Sequence, residues 1–234
     1  MLIIIYVGGH QMTIRHFYIG RIFLINAGGI RIKKKQICDL HVAHRTNKLE
    51  ELLNVPKFCG VEIDLRDSNN KIIVTHDPYT NGVEFEEYIK NYSHSFIILN
   101  IKSEGIEYKI KEILNKYNIT NYFFLDSSFP MIYKLANSGE SNIAIRLSEF
   151  EDINTVLNLK NLVKWVWVDC FTKFVIDNEK YELLKNAGFK LCLVSPELHN
   201  LNRISEIEQY KKYIIDNDMH FDMICTKLRN IKRW

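Results

Sequence analysis

The chain has 234 residues, 47% hydrophobic and 25% charged, with a formal net charge of +3. That is enough for one sizeable core of ordinary soluble composition, so a single domain is the natural expectation. The net charge is small and the basic residues are spread along the chain instead of gathered with interleaved aromatics, which leaves nucleic-acid binding little support.

The first residues, MLIIIYV, are apolar but too short for a membrane span and have no basic flank ahead of them. Arg15, His16 and Arg21 interrupt the apolar residues that follow, so neither a signal peptide nor stable membrane insertion is expected. The barrel pattern described below begins near residue 35. Residues 1–34 stay open between a disordered extension, a start placed too far upstream and an extra packed strand. The five cysteines, Cys38, Cys59, Cys170, Cys192 and Cys225, lack close metal-ligand spacing and mostly lie in apolar runs. They read as reduced core residues of a cytoplasmic protein.

From Gln36 onward, apolar runs of strand length alternate with segments of helical period. QICDLHVAH is followed by NKLEELL, whose leucines share one face, and then by GVEIDLR. Asp67-Ser68-Asn69-Asn70 signals a turn, and KIIVTH returns as the second arm of a hairpin. SFIILNIK precedes a helix over 105–117, and NYFFLD precedes one over 131–135. NIAIRLSE, LVKWVWVDC, KLCLVSP and FDMICTK complete the strands. Helical segments NEKYELLKNAG, stopped by Gly188, and ISEIEQYKKYIIDND lie among them. Eight largely apolar strands joined by helices argue for a parallel closed barrel, with an open doubly wound sheet as the alternative.

Within GVEIDLR, Val61, Ile63 and Leu65 alternate with Glu62, Asp64 and Arg66, the period that puts both carboxylates on one face of a strand. A hard divalent cation needs oxygen ligands of this kind, and phosphodiester chemistry needs cationic donors and imidazoles for proton transfer. His44-Arg45 ends the preceding run and His76-Asp77 the following arm, while Lys102, Asp126 and Asp169 end later strands. In a barrel these strand ends share one mouth. Asp126, Asp169 and Glu197 read as solvated strand-end charges. Arg146, Ser148 and Glu149 read either as head-group contacts or as surface pairs.

The set His44-Arg45, Gly60-Val61-Glu62-Ile63-Asp64 and Val74-Thr75-His76-Asp77 resembles the glycerophosphodiester phosphodiesterase family. That family is related to the phosphatidylinositol-specific phospholipases C and more distantly to the sphingomyelinase D toxins. The stretch from His44 to Asp77 that carries the match is about a seventh of the chain. It implies an α/β fold, a single-domain (β/α)8 TIM barrel over residues 35–234, with residues 1–34 outside it. It further implies His44 and His76 as acid and base, Arg45 and Lys102 as cationic donors, and one Mg2+ or Ca2+ on Glu62 and Asp64. Many members carry an insertion after the second histidine; its absence here implies an open site. The third strand usually ends in Glu-x-Lys, with the Glu a third metal ligand, whereas this chain has Asn100-Ile101-Lys102. Asn100 would then be a neutral third ligand. Thr46 stands where the family has Gly, and Lys227 where its last strand brings Thr-Asp.

The expectation is a metal-assisted hydrolase of a small phosphodiester. A catalytically degenerate barrel that binds a phosphorylated ligand is the alternative, supported by Asn100. A phospholipase acting on membrane lipid is a further one, for which no apolar lid is evident in the sequence.

Overall fold

The structure, a computed structural model, describes residues 36–234 and, in the first 35, the backbone of two antiparallel pairs, Ile3–Val7 with His10–Ile14 and Phe23–Asn26 with Gly29–Ile32. The expectations for residues 1–34 otherwise lie outside the described residues.

Eight strands organise the remainder: β1 (Cys38–Ala43), β2 (Gly60–Ser68), β3 (Phe96–Ile101), β4 (Tyr122–Leu125), β5 (Ala144–Leu147), β6 (Trp165–Val168), β7 (Lys190–Val194) and β8 (Phe221–Thr226). They are hydrogen-bonded in the order β4-β3-β2-β1-β8-β7-β6-β5, and every ladder on that path is parallel. Helices fill the connections: α1 (Leu49–Asn54), α2 (Phe85–Lys90), α3 (Glu107–Lys116), α4 (Phe129–Asn137), α5 (Ile153–Leu157), α6 (Asn178–Asn186) and α7 (Glu206–Asp216). The expected alternation of strand and helix is therefore present, and the fold is α/β.

Each strand lies beside its neighbour in sequence and β8 returns to β1. Between β4 and β5 the ladder is interrupted, leaving one isolated parallel bridge, Phe124 to Ile143. The expected ring is thus cyclic in order but not closed into a continuous ladder at this seam, where Phe124 N–H donates to Asn142 O at 2.9 Å. Both strands are only four residues long, and Asp126, directly after β4, has φ 59°, which turns the chain out of the strand path.

Alternation of side chains sorts the strands into two layers. Val61, Ile63 and Leu65 of β2, with Ile97, Leu99 and Ile101 of β3, join the helices in the larger core cluster. Val42, Ile98, Phe123, Trp165, Cys192 and Met223 belong instead to a second cluster contributed by seven of the strands, packed from the opposite faces. Phe123 and Trp165 meet there with ring centroids 5.0 Å apart. Continuing the same period of two, His44, Glu62, Asn100, Arg146 and Lys227 follow Val42, Gly60, Ile98, Ala144 and Cys225 on their strands. An apolar plug therefore carries a polar layer on its carboxyl-end side.

Local chemistry agrees with the turn and stop signals. Asn69 and Asn70 take φ 48° and 62°, two consecutive left-handed residues as the tight hairpin to Lys71–Val74 requires. Gly188, at φ 87°, ends α6. All five cysteines are buried and unpaired.

Candidate active site

Glu62 and Asp64, the third and fifth of the nine residues of β2, are fully buried, and Asp64 lies opposite Asn100 in the β2–β3 register. Burial pushes both carboxyls above their usual range; for Asp64 the nearby Glu62 charge adds to it. Four groups work the other way. Asn100 Nδ2 donates to Glu62 Oε1 at 2.9 Å, and the Arg45 backbone N–H to Glu62 Oε2 at 2.7 Å. Lys102 Nζ is 3.7 Å from Asp64 Oδ1, and Arg45 Nε 3.8 Å from Asp64 Oδ2.

The turn after β1 makes these contacts possible. Arg45 has φ 52°, which aims its own N–H at Glu62. Thr46 is buried with its N–H donating to Glu62 O and its hydroxyl to Ala43 O. The left-handed residue is Arg45, so the Thr in place of Gly imposes no strain at position 46. Asn47 was not singled out by the sequence. Its Nδ2 donates to Asp64 Oδ2 at 2.8 Å, and its Oδ1 accepts the Asp64 N–H at 3.0 Å. The one signal for it is a side chain suited to turns placed just after a strand. Glu51 holds the turn by accepting from the Asn47 and Lys48 amides.

Both histidines reach this layer. Arg45 Nη2 lies 2.6 Å from His76 Nε2, and His76 Nδ1 2.7 Å from Asp77 Oδ1. Arg donates only, so Nε2 is the acceptor and Nδ1–H points at the carboxylate. Asp77 thereby fixes the tautomer, and the same hydrogen bond holds its carboxyl below the usual range. His44 Nε2 is 3.8 Å from Glu62 Oε2, and among the described residues its Nδ1 has no hydrogen-bond partner. Burial, then the charges of Lys227 and Arg45, push His44 down to about 3.

The structure corrects the reading of Asp169 and Glu197 as solvated charges, both being buried, and finds Asp126 exposed but paired. Lys102 Nζ donates to Asp126 Oδ2 at 3.1 Å, and Arg146 bonds both Asp126 and Asp169. Asp169 is buried and also pairs with His199. Glu197 is buried as well; burial works against its charge, but hydrogen bonds from Ser195, Thr226 and Asn230 outweigh it and hold the carboxyl low. Opposite charges on neighbouring strands find each other, which a strand-by-strand reading does not reveal. Ser148 and Glu149 turn out to serve the loops. Ser148 bonds Glu151, and Glu149 accepts the Phe171, Thr172 and Lys173 amides. Burial opposes the Glu149 charge, yet those amides hold its carboxyl down at about 2. Lys227 Nζ lies 3.4 Å from His44 O, adding a cation beside the histidine. Tyr79 and Phe150 are exposed on loops, as single residues and not as a lid.

Among the described residues no group of three or more His, Cys, Asp and Glu side chains is arranged as a metal set. An oxygen set is nevertheless present. Asp64 Oδ1 and Asn100 Oδ1 are both buried without hydrogen-bond partners among the described residues, on side chains opposite each other in register and beside Glu62. Such orphaned oxygens suit a hard cation. The residues therefore fit a divalent ion, with an amide in place of a third carboxylate.

No protein-family model and no curated protein matches the chain. Solved structures do. One, from Agrobacterium tumefaciens str. C58, is named provisionally as a glycerophosphoryl diester phosphodiesterase; it is 13% identical with a TM-score of 0.58, covering 81% of this chain and 93% of its own. Another, named a glycerophosphodiester phosphodiesterase from the same organism, is 10% identical with a TM-score of 0.58, over 81% and 97%. Likeness at these identities is one of fold.

Two outcomes follow from the geometry. Asn47→Ala leaves the Asp64 N–H and Oδ2 without their partner and should lower stability by about 1–3 kcal/mol in urea unfolding; an unchanged midpoint would show that Asn47 is dispensable. Because the folded pKa of His44 lies below its ordinary value, the unfolded chain takes up that proton first. The His44 contribution to stability should therefore fall from about pH 6.5 downward, so that the wild type loses stability relative to His44→Gln between pH 6 and 4, by at most about 1.4 kcal/mol per pH unit. Parallel pH profiles would contradict the burial argument.

Proposed function

We propose that this chain is a phosphoric diester hydrolase acting on a glycerophosphodiester-like substrate, with residues 35–234 as a single (β/α)8 barrel whose ring is interrupted at one seam. The observation that carries the reading is the convergence of His44, His76, Arg45 and Lys102 on the buried pair Glu62 and Asp64. The residue pattern and a fold shared with structures named as glycerophosphodiester phosphodiesterases support it.

Glu62, Asp64 and Asn100 would hold one divalent ion, Mg2+ or Ca2+, which when bound supplies charge neutralisation at a nonbridging phosphate oxygen. Arg45 and Lys102 add cationic donors to the same phosphate. His76, with Nδ1–H committed to Asp77, presents Nε2 as the lone pair that accepts the proton of the attacking hydroxyl. Arg45 must release that nitrogen as it turns to phosphate. His44 stands as the proton donor to the departing alcohol oxygen; burial and the Lys227 and Arg45 charges disfavour its protonated form, and the negative charge of a bound diester is what would favour it. Attack forms one P–O bond as the bond to the departing alcohol breaks: water as the nucleophile yields a monoester and an alcohol, a neighbouring substrate hydroxyl a cyclic phosphate and an alcohol.

Ligand binding without turnover is a second reading, favoured by one observation: Asn100 offers an amide where the family pattern has a carboxylate. The two readings part on a panel of glycerophosphodiesters assayed with and without Mg2+ or Ca2+. His44→Ala and His76→Ala should each lower turnover about a hundredfold or more, and the double variant should lose less than the product of the two. Near-normal turnover by either variant would refute the two-histidine mechanism, and no wild-type hydrolysis of any diester would favour the binding reading.

A further inference from the structure

The seam between β4 and β5 does more than interrupt the ladder. Past the single bridge of Phe124 to Ile143 the strands part, and the residues that come next, Leu125, Asp126, Ala144, Ile145 and Arg146, line a cavity of about 500 Å3. A space of that size lies in the ordinary range of small-molecule sites. Its walls are completed by Phe129 and Ile132 of α4 and by Phe171 from the loop after β6. The Phe129 ring is 52% exposed, with little protein packed over it.

The charges at its rim are already paired. Arg146 bonds Asp126 and Asp169, lies 3.6 Å from Glu151, and sits 5.9 Å from the Phe171 ring centroid. Carboxylates outnumber the cation there, which disfavours an anionic guest, each carboxylate already has Arg146 as a partner, and the walls favour an apolar guest. Inside, Ser127 lines the cavity, is 8% exposed, and its hydroxyl has no hydrogen-bond partner among the described residues.

Asp126 joins this cavity to the diester site. It accepts from Lys102, which stands 3.7 Å from Asp64, and from Arg146 on the other side. A group attached through one phosphate oxygen therefore has the cavity two side-chain contacts away.

We propose that the β4–β5 seam is a second subsite that takes a neutral aryl or alkyl group carried by one alcohol of the phosphodiester; this rests on the diesterase reading of the neighbouring site. The substrate class is thereby narrowed to diesters with one apolar substituent, in preference to those with two small polyols.

The test compares phenyl phosphate with methyl phosphate as calorimetric ligands of the full chain, in the presence of Mg2+. Burying the ring should make phenyl phosphate bind on the order of tenfold more tightly. Phe129→Ala, which removes a wall, and Thr155→Trp, which fills the cavity from an exposed position on its lining, should each reduce that ratio at least about threefold. Phe58→Ala, 77% exposed just before β2, should preserve it. Equal affinity for the two ligands, binding of neither, or a ratio that neither cavity variant lowers would overturn the subsite. Wild-type turnover of glycerophosphodiesters is read separately: turnover without phenyl preference removes the subsite alone, and preference without turnover removes the reaction alone.

Discussion

Two carboxylates fully buried side by side on one strand are the constraint on which the remaining structure depends. Taking an ionised carboxylate out of water costs several kcal/mol unless other groups compensate it. Around Glu62 and Asp64 the compensation comes from Arg45, Asn47, Asn100 and Lys102, drawn from two chain segments. It is incomplete: among the described residues Asp64 Oδ1 has no hydrogen-bond partner, nor does Asn100 Oδ1 beside it. A fold optimised for stability alone would place leucine or valine here. Retaining charge above an apolar plug is the mark of a site where charge is used.

The plug explains how distant residues meet. Because parallel strands present alternate residues to the same side, a layer holding Val42, Ile98, Trp167 and Cys225 places the residues two positions onward at the carboxyl ends, where His44, Asn100, Asp169 and Lys227 stand. The polar layer is then knit sideways. Lys102 links Asp64 to Asp126, and Arg146 links Asp126 to Asp169 and so to His199. One continuous set of charges spans β2 to the loop after β7, and the seam opens beneath its middle. Glu197 makes a separate tie, joining β7 and β8 to Asn230, while Trp234 bonds Ser195 of the same cluster.

Much of this was legible in the sequence, for identifiable reasons. GVEIDLR announces a strand with its carboxylates on one face through period alone, and Asn69-Asn70 and Gly188 mark a turn and a stop through backbone conformations few other residues adopt. His44, Glu62, Asp64 and His76 could be brought together because strand ends converge in a barrel. What escaped depends on contacts between strands. Asp126 and Asp169 look like ordinary surface charges until Arg146 is seen between them, and nothing in Thr46-Asn47 says that a left-handed Arg45 will swing the amide onto Asp64. The seam escaped for another reason: it is a missing set of backbone hydrogen bonds, arising from two short strands and the turn at Asp126, which no side-chain pattern encodes.

If the buried pair is kept for a cation, its third neighbour must matter to cation binding. Calorimetric titration of Mg2+ and Ca2+ into the wild type, Asn100→Glu and Asn100→Leu measures this directly. A third carboxylate should tighten binding and a hydrocarbon should weaken it, with the wild type between them. Identical titrations for all three proteins would contradict the assignment of Glu62, Asp64 and Asn100 as a cation site.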